Sequence, residues 1–412
     1  MRKVLFLAIL TSVLIIMACN NDDIIHRPEE VSVILYPDTT LTIYFGNTYT
    51  FNYSVYSTPD TTVTWYVNGV DGGNDSLGTV DSTGTFTAPS VALEFDSVMV
   101  KVVSQADTTK ADSLGIIIKD RNYVYVDSAT GIDSTGHGTY FKRFRTITKG
   151  LQEAIQGQIV RVNDGTYYEN EAFPLIPRFE VSVQGTDTNK VFVMAPDDTS
   201  AFRLEYKKAV VRNLTILGDN KQGYGIEFAG SSDIDTIRVR DLIIEDCYAA
   251  FTKTGEAANL LLENCWVNDC VYGFQINQAG TSLLMNNINF VAIDSIAVNS
   301  INPIGELDFL GSRIDNAWIG IKTIEGEFCL ITSSEFSNID SIAVLLYNNA
   351  DLQSGTIDND FSGCGTWCVY NASPDTIDAI GNIWPSTDPT VIDTQYIYDD
   401  DENGDYGPVI FQ

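Results

Sequence analysis

The chain has 412 residues, of which 44% are apolar, and its formal net charge at pH 7 is -31. So negative a charge excludes the broad basic surface that nucleic-acid binding requires, and it disfavours contact with anionic membranes. The length favours two or more domains, and the abundance of Thr, Ser, Asn, Val, Ile and Tyr favours β-strands.

The first 18 residues have the layout of a secretory signal. A positively charged start over residues 1–3 precedes an uncharged run over residues 4–18, which is too short to span a bilayer. Residues 16–19 resemble the lipobox of bacterial lipoproteins: an aliphatic residue, Met, a small residue and Cys. The resemblance implies cleavage before Cys19, acylation of Cys19 by palmitate-type chains, and anchoring at the outer membrane or cell surface. The alternative is an ordinary signal peptide followed by a coincidental cysteine.

Residues 19–29 are polar and contain Pro28, which predicts a flexible tether. Residues 30–119 then form short alternating runs of apolar and polar residues separated by turn sequences, a pattern typical of a β-sandwich. Residues 65–74 and 84–89 resemble bacterial immunoglobulin-like domains. The resemblance implies an immunoglobulin-like sandwich that acts as a spacer or, less often, as a binding domain.

The remaining residues, 120–412, are repetitive. A turn residue recurs with a period of about 24 residues, usually with an apolar residue two positions later. The aligned turn positions are Asn213, Asp241, Asn264, Ile288, Ser312, Ser334, Asn359 and Asn382. Such a period of short β-prone runs describes a coil with three strands and three turns, and coils that stack at about 4.8 Å place like residues above like. Leucine-rich repeats share the period but need a Leu pattern that is missing here.

We therefore predict an all-β chain: an N-terminal immunoglobulin-like β-sandwich followed by a right-handed single-stranded parallel β-helix. Trp266, Phe290, Phe336 and Phe361 should stack in one internal column. An apolar helical stripe over residues 146–156 predicts an N-terminal capping helix for the β-helix.

Two resemblances agree with this prediction. Residues 124–169 resemble an uncharacterised bacterial β-helix family through Val124-Tyr125-Val126, Phe144-Arg145-Thr146-Ile147 and Gly165-Thr166-Tyr167. Residues 381–409, with Gly381-Asn382-Ile383-Trp384 and Tyr406-Gly407-Pro408-Val409, resemble the closing coil of pectate-lyase-like β-helix proteins. Both resemblances are specific for fold and carry little information about activity.

The chain contains no nucleophile elbow, phosphate loop or metalloprotease motif. Of its two histidines, His26 lies in the tether and His137 in a glycine-flanked loop, where a polar loop residue is expected. Basic residues are concentrated in the early coils, and a carboxylate pair recurs at matching positions of adjacent coils. The candidate ligand-binding residues are therefore Arg212, Arg238, Arg240, Asp246 and Asp269. Solvated turn and surface residues are the alternative explanation for all five.

Six cysteines follow Cys19, and Cys247 and Cys270 should occupy the same site on adjacent coils. We expect free thiols there rather than a disulfide, because stacked side chains usually point in parallel. The residues Asp399, Asp401, Asn403 and Asp405 match the start of an EF-hand loop, but its twelfth position is Ile410. A looser calcium turn is the one metal site that the sequence suggests, and no other cofactor is expected.

Together these features suggest a monomeric, lipid-anchored surface protein whose β-helix recognises an extracellular polymer, such as a polysaccharide, or acts in adhesion. The first alternative is a polysaccharide lyase or glycoside hydrolase, which would need convergent carboxylates with Arg or Lys. The second is a purely structural surface protein. The sequence offers no histidine-based catalytic site and no evident pair of catalytic acids. Both observations favour binding without cleavage.

Overall fold

The computed structural model describes residues 30–90, 96–206, 208–230, 236–256, 259–278, 282–301, 304–323, 326–347 and 358–412. The predicted signal peptide, Cys19 and the tether up to residue 29 lie outside the described residues. The chain divides into two compact units, with the main division after residue 117. No helix among the described residues is long and apolar enough to cross a membrane.

The first unit consists of short strands in antiparallel sheets, with strand orders β1-β4, β2-β11-β10-β5-β6 and β3-β9-β8-β7. The strands are β1 Ser32–Tyr36, β2 Leu41–Tyr44, β3 Thr48–Thr50, β4 Asn52–Tyr56, β5 Val63–Val67, β6 Val70–Asp71, β7 Gly73–Asn74, β8 Gly78–Val80, β9 Thr85–Thr87, β10 Ser97–Ser104 and β11 Ala111–Lys119.

The core of the first unit is built around Trp65. Its ring lies 6.1 Å from that of Phe51 and 5.6 Å from that of Tyr53. Gly84 has a φ of +81°, and a β-carbon there would lie 2.7 Å from the Trp65 ring, so only glycine fits this turn. Alternate side chains of β10 point into this core, as the alternating sequence predicts.

The second unit is a parallel β-solenoid of about nine turns with very few helices. The helices are α1 Ile147–Glu153 and α2 Pro389–Tyr396. The strands are β12 Tyr123–Val126, β13 Ile159–Val162, β14 Gly165–Tyr167, β15 Ser182–Gly185, β16 Val191–Met194, β17 Ser200–Leu204, β18 Val210–Leu217, β19 Tyr224–Phe228, β20 Ile237–Glu245, β21 Ala249–Lys253, β22 Leu260–Ile276, β23 Ser282–Ser300, β24 Ile304–Leu310, β25 Arg313–Thr323, β26 Gly326–Thr332, β27 Glu335–Tyr347, β28 Asp360–Cys364, β29 Trp367–Ala372, β30 Ile377–Asp378, β31 Ile397–Tyr398 and β32 Val409–Ile410.

One coil illustrates the repeat. Residues 237–240, 242–245 and 249–253 form three strand segments, with turns at Asp241 and Asp246, and each segment pairs in parallel with the coils before and after it. We call the outer surfaces of the three resulting sheets face A (through residues 237–240), face B (through 242–245) and face C (through 249–253). Inward side chains of all three sheets form one continuous hydrophobic core.

The turn between faces A and B is held by hydrogen-bond ladders. Asn264 Nδ2 donates to Asp241 Oδ1 at 3.1 Å, and Asn287 Nδ2 donates to Asn264 Oδ1 at 2.8 Å. All three residues have positive φ, which Asn and Asp tolerate. In later coils a buried ladder continues one position further along the turn, where the Ile288 amide donates to Ser312 Oγ and the Ser312 amide donates to Ser334 Oγ.

The predicted aromatic column is confirmed for Phe336 and Phe361 and wrong for Trp266. The Phe336 and Phe361 rings stack at 5.0 Å inside the solenoid, and Phe290 lies in the same inward column, with Ile314 between it and Phe336. Trp266 pairs with Asn289 on face B and is 43% exposed, while Val267 takes the inward position opposite Phe290. The predicted register is wrong by one residue at this coil. The repeat alignment placed the turn at Ile288, whereas the hydrogen-bond ladder of Asp241 and Asn264 continues at Asn287.

The helix predicted over residues 146–156 is present as α1, which contacts β12 and β13 at the start of the solenoid. Thr146 caps it, because Thr146 Oγ1 accepts a hydrogen bond from the Lys149 amide, and its buried face includes Ile147 and Leu151. The helix ends at Glu153, earlier than predicted, and Ile155 is half-exposed beyond it.

All six described cysteines are buried and unbridged. Cys247 and Cys270 are adjacent, as predicted, and their thiols point in parallel, each donating to the carbonyl two residues earlier, Glu245 and Asn268, at 3.4 Å. The Cys270 thiol and burial raise the pKa of Cys247 well above its ordinary value.

Candidate site on the outer faces of the solenoid

Face A carries a column of arginines in its first coils. One outward position is occupied on successive coils by Tyr125, Arg161, Gln184, Arg212, Arg240 and Glu263. Arg212 and Arg240 are therefore on adjacent coils, about 4.8 Å apart along the axis. Arg238 occupies the neighbouring outward position on the same coil as Arg240, because side chains two residues apart on a strand share a face.

The positive charge of this column is only partly neutralised. Arg212 Nη2 donates to the uncharged Gln184 Oε1 at 2.8 Å, and within the described part of the chain neither Arg161 nor Arg212 forms an ion pair. Partial burial and the neighbouring Arg240 lower the pKa of the Arg212 guanidinium, with a further contribution from Arg161. These like charges repel one another, so an anion placed between them would be attracted to all of them.

At the later end of the column, carboxylates approach the arginines loosely. Arg240 Nε lies 3.8 Å from Asp241 Oδ2, and Arg238 Nε lies 3.7 Å from Glu263 Oε2. Both pairs are partly solvent-exposed and longer than a good hydrogen bond, so their stabilising effect is small. The guanidinium groups thus remain available to a ligand that offers better geometry.

At its other end the column reaches a group of aromatic rings. The Tyr125 ring contacts the ring of Tyr140 at 5.6 Å, and Tyr140 contacts Phe141 at 5.0 Å. Tyr140 and Phe141 line an open pocket of about 590 Å³ together with Lys142 and Arg143. Face A therefore combines guanidinium groups with exposed aromatic rings, which are the side chains that bind acidic sugar groups and sugar rings, respectively.

Asp246 and Asp269 do not join this arginine column. They lie in the turn between faces B and C, at the far end of the face B strands from Asp241. Lys221 neutralises this turn, because its Nζ lies 2.7 Å from both Asp269 Oδ1 and Asp294 Oδ2. Asp246 Oδ2 accepts from the Asn220 amide at 3.0 Å. The repeated carboxylates thus have partners within the chain, and Lys221 takes the position that a bridging cation would need.

The acidic turn near the C-terminus also uses its carboxylates internally. Asp399 is buried, and its Oδ2 accepts from the Val409 amide at 2.6 Å, while its Oδ1 accepts from the Asp401 amide at 3.3 Å. Asn403 Oδ1 accepts from the Asp405 amide. Among the residues that the structure describes, no group of three or more His, Cys, Asp or Glu side chains is arranged to hold a metal ion.

His137 belongs to no nucleophilic triad in the described structure. Its Nδ1 lies 2.6 Å from Asp96 Oδ2, and the Lys142 ammonium lies 3.4 Å from Asp96 Oδ1. These contacts describe a partly buried ion-pair network in a loop. The Thr139 hydroxyl donates to Asp96 Oδ2 at 3.2 Å rather than to the imidazole, so these contacts give His137 no hydroxyl or thiol to activate.

Sequence reasoning missed two features. Arg161 was not among the candidates because it precedes the first aligned repeat at Asn213, and it joins the column only through the pairing of β13 with β15. The second is a ladder of tyrosines on face C, at Tyr224, Tyr248 and Tyr272. Their regular spacing of about 24 residues matches the repeat and could have revealed them.

A family model described as "Protein of unknown function (DUF1565)" matches residues 129–391, which is more than half of the chain. No curated protein sequence matches the chain. Among solved structures, the catalytic domain of a GH87 alpha-1,3-glucanase in complex with nigerose is similar at 11% identity and a TM-score of 0.34, covering 85% of each chain. The pectin methylesterase PemA from Erwinia chrysanthemi is similar at 11% identity and a TM-score of 0.26, covering 63% of this chain and 80% of its own.

Proposed function

This chain belongs to the DUF1565 family, whose description leaves its function open, and we propose that it is a surface protein whose solenoid binds an acidic extracellular polysaccharide. The observation that carries the proposal is the outward column of Arg161, Arg212 and Arg240 on face A. A linear polyanion lying along the solenoid axis would meet successive guanidinium groups. Each guanidinium can bind a carboxylate or sulfate through two parallel hydrogen bonds.

The overall negative charge does not prevent this binding. The Debye length at physiological ionic strength is about 8 Å, so an approaching polyanion feels mainly the charges of face A within that distance. Lys221, by contrast, is already paired with Asp269 and Asp294. A neutral chain would leave the repulsion between the crowded guanidinium charges uncompensated. Face A should therefore select acidic chains.

The proposal also includes the setting of the solenoid. Cys19 would be acylated after removal of residues 1–18, residues 19–29 would act as a tether, and the first unit would be an immunoglobulin-like spacer. The solenoid would be a right-handed β-helix. This arrangement would hold a protein of net charge -31 away from the anionic membrane. Face A would then be accessible to an acidic extracellular polymer.

Hydrolysis is a second candidate because face A also carries a pair of neighbouring acids. Glu306 and Asp308 are alternate residues of β24, so their side chains share a face and lie about 6.6 Å apart at the backbone. Burial and the Glu306 carboxylate raise the pKa of Asp308. A glycoside hydrolase pairs a protonated acid with an ionised carboxylate, and its two carboxyl groups lie about 5–10 Å apart.

One experiment separates binding from cleavage. The full chain, purified in detergent, is incubated with polygalacturonate, alginate and hyaluronan, and both retention of the polymer and the appearance of reducing or unsaturated ends are measured. We expect retention without new ends, in wild type and in Glu306→Gln alike. New ends that disappear in Glu306→Gln and Asp308→Asn would replace the binding proposal with hydrolysis, and no retention of any polymer would reject it.

A further inference from the structure

The loop over residues 130–143 carries a pocket of about 590 Å³ that binding by the arginine column does not use. Ile132, Tyr140 and Phe141 line it, and each of these side chains is about half exposed. Pockets that hold small molecules have volumes of about 300–1,000 Å³ and combine apolar and aromatic walls with a few polar groups. This pocket therefore has the size and the lining of a ligand site.

The walls of the pocket are held in place by the chain itself. Arg143 Nε donates to the Tyr140 carbonyl at 2.8 Å, and the Arg143 guanidinium lies 4.8 Å from the centre of the Tyr140 ring. Arg143 Nη1 in turn donates to Asp127 Oδ2 at 2.7 Å. Gly138, with a φ of +70°, lies so close to the buried Phe144 ring that a β-carbon there would be 2.5 Å from it. The rings are therefore oriented before a ligand arrives, which lowers the entropic cost of binding.

The pocket lies where the arginine column ends. Tyr125 occupies the column position on β12, the strand at one end of the solenoid sheet, and it pairs with Arg161 on the next coil. On the other side of β12, the Tyr125 amide donates to the Gly138 carbonyl at 2.9 Å, and the Tyr125 ring lies 5.6 Å from that of Tyr140. A polymer that follows the column past Arg161 therefore reaches the pocket where the coils stop.

The two aromatic walls of the pocket form a corner. The rings of Tyr140 and Phe141 lie 5.0 Å apart with an angle of 79° between their planes. A flat row of rings would let a polymer pass along it, whereas two walls at nearly a right angle stop it. Lys142 also lines the pocket, and its ammonium lies 3.4 Å from Asp96 Oδ1, which is longer than a good charged hydrogen bond. The ammonium is therefore available to an acidic group at the end of a polymer.

We infer that the pocket lined by Tyr140, Phe141 and Lys142 binds the terminal sugar of an acidic polysaccharide whose following sugars lie along the arginine column. The inference rests on the proposed function, because face A binds the same polysaccharide. The C–H face of the terminal sugar would pack on an aromatic ring, and its carboxylate would pair with Lys142. Because a polysaccharide has one end of each kind, each polysaccharide molecule would carry one tightly bound protein molecule, whatever its length.

The test counts protein molecules per polysaccharide molecule. The full-length protein in detergent is studied by isothermal titration with hexagalacturonate and with polygalacturonates of several defined lengths. We expect wild type to bind each of them with one tight site per polysaccharide molecule. Tyr140→Ala/Phe141→Ala should bind hexagalacturonate about tenfold more weakly, because two ring contacts are lost. Longer polygalacturonates should then carry more molecules of this variant, because only the arginine column remains to bind them.

Two further variants guard against misfolding and against a general effect of losing a ring. Ile132→Glu keeps both aromatic walls and places a negative charge at a half-exposed position of the pocket. It should weaken hexagalacturonate binding severalfold through repulsion of the acidic sugar, with an unchanged circular dichroism spectrum. Trp266→Ala removes an exposed ring on face B and should bind like wild type.

The inference is overturned if the number of wild-type molecules per polysaccharide molecule rises in proportion to polysaccharide length. It is also overturned if both pocket variants bind hexagalacturonate like wild type. In either case the face A proposal stands as long as Arg212→Ala/Arg240→Ala weakens binding. Binding that the arginine variant leaves unchanged, or no binding by wild type, would reject the face A proposal and this inference with it.

Discussion

Arg212 and Arg240 occupy the same outward position on adjacent coils of the solenoid, and Gln184 on the preceding coil accepts a hydrogen bond from Arg212. Stacking of like residues is a property of the repeat, and for charged residues it is unfavourable unless something compensates the charge. On the turn between faces B and C, Lys221 compensates the stacked carboxylates. On face A the arginine charges are less well neutralised by carboxylates of the described chain. This difference is the basis of the proposed function.

The inward aromatic column predicts a large stability difference between an inward and an outward aromatic residue of the solenoid. Phe336→Ala should lower the free energy of unfolding by about 3–5 kcal/mol, because it removes a fully buried ring and leaves a cavity beside Phe361. Trp266→Ala, on exposed face B, should cost much less, about 0.5 kcal/mol. Denaturant titration followed by circular dichroism measures both, and equal losses would contradict the register.

The partly buried carboxylate of Glu171 predicts a specific pH dependence. It accepts hydrogen bonds from the Ile147 and Thr148 amides at the start of α1, yet burial raises its pKa above the ordinary 4.5. The folded state therefore favours the protonated acid. Glu171 contributes most stability below pH 4.5, and that contribution is lost as pH rises through the raised pKa.

Glu171→Gln removes this titration. The difference in unfolding free energy between wild type and the variant should therefore shift in favour of the variant as pH rises from about 4 to about 7. Thermal melts across that range provide the measurement. A shift in favour of wild type over the same range would show that the hydrogen bonds to α1 outweigh burial and lower the pKa instead.

The cysteines should be free but unreactive in the folded protein. Burial raises the pKa of Cys265 and Cys329 to about 12, so little thiolate forms at neutral pH. Iodoacetamide should leave all six described cysteines unmodified in native protein and label all six in denaturant without reductant. Labelling of Cys247 and Cys270 only after reduction would indicate a disulfide between them.

The repeat, the three-strand coil and the capping helix could be predicted from sequence because turn residues and apolar residues recur at matching intervals. The exact register could not, because neighbouring residues such as Asn287 and Ile288 both occupy the turn and each continues a different hydrogen-bond ladder. The sequence also did not predict which basic residues pair with the candidate acids. Lys221 reaches Asp294, 73 residues later in the chain, and only the stacking of coils brings the two together.

Lipid attachment predicts that Cys19→Ser releases the protein from the membrane. The expected cause is loss of the acyl chains, each of which contributes about 0.8 kcal/mol per buried methylene. Membrane fractionation of cells expressing each form, with mass spectrometry of the wild-type N-terminus, provides the measurement. A Ser variant that stays in the membrane fraction, together with an unmodified Cys19 in wild type, would contradict the lipoprotein assignment.

The central claim is that face A binds an acidic polysaccharide through its arginine column, and isothermal titration with polygalacturonate at several salt concentrations tests it most directly. Arg212→Ala/Arg240→Ala should weaken binding about tenfold or more and flatten its salt dependence, because two charge-assisted contacts are lost. Arg313→Ala is the matched control: its guanidinium also lies on an outer face but is paired with Asp315 and Glu335, so its loss should change little. Equal affinities for wild type and the face A variant would contradict the account.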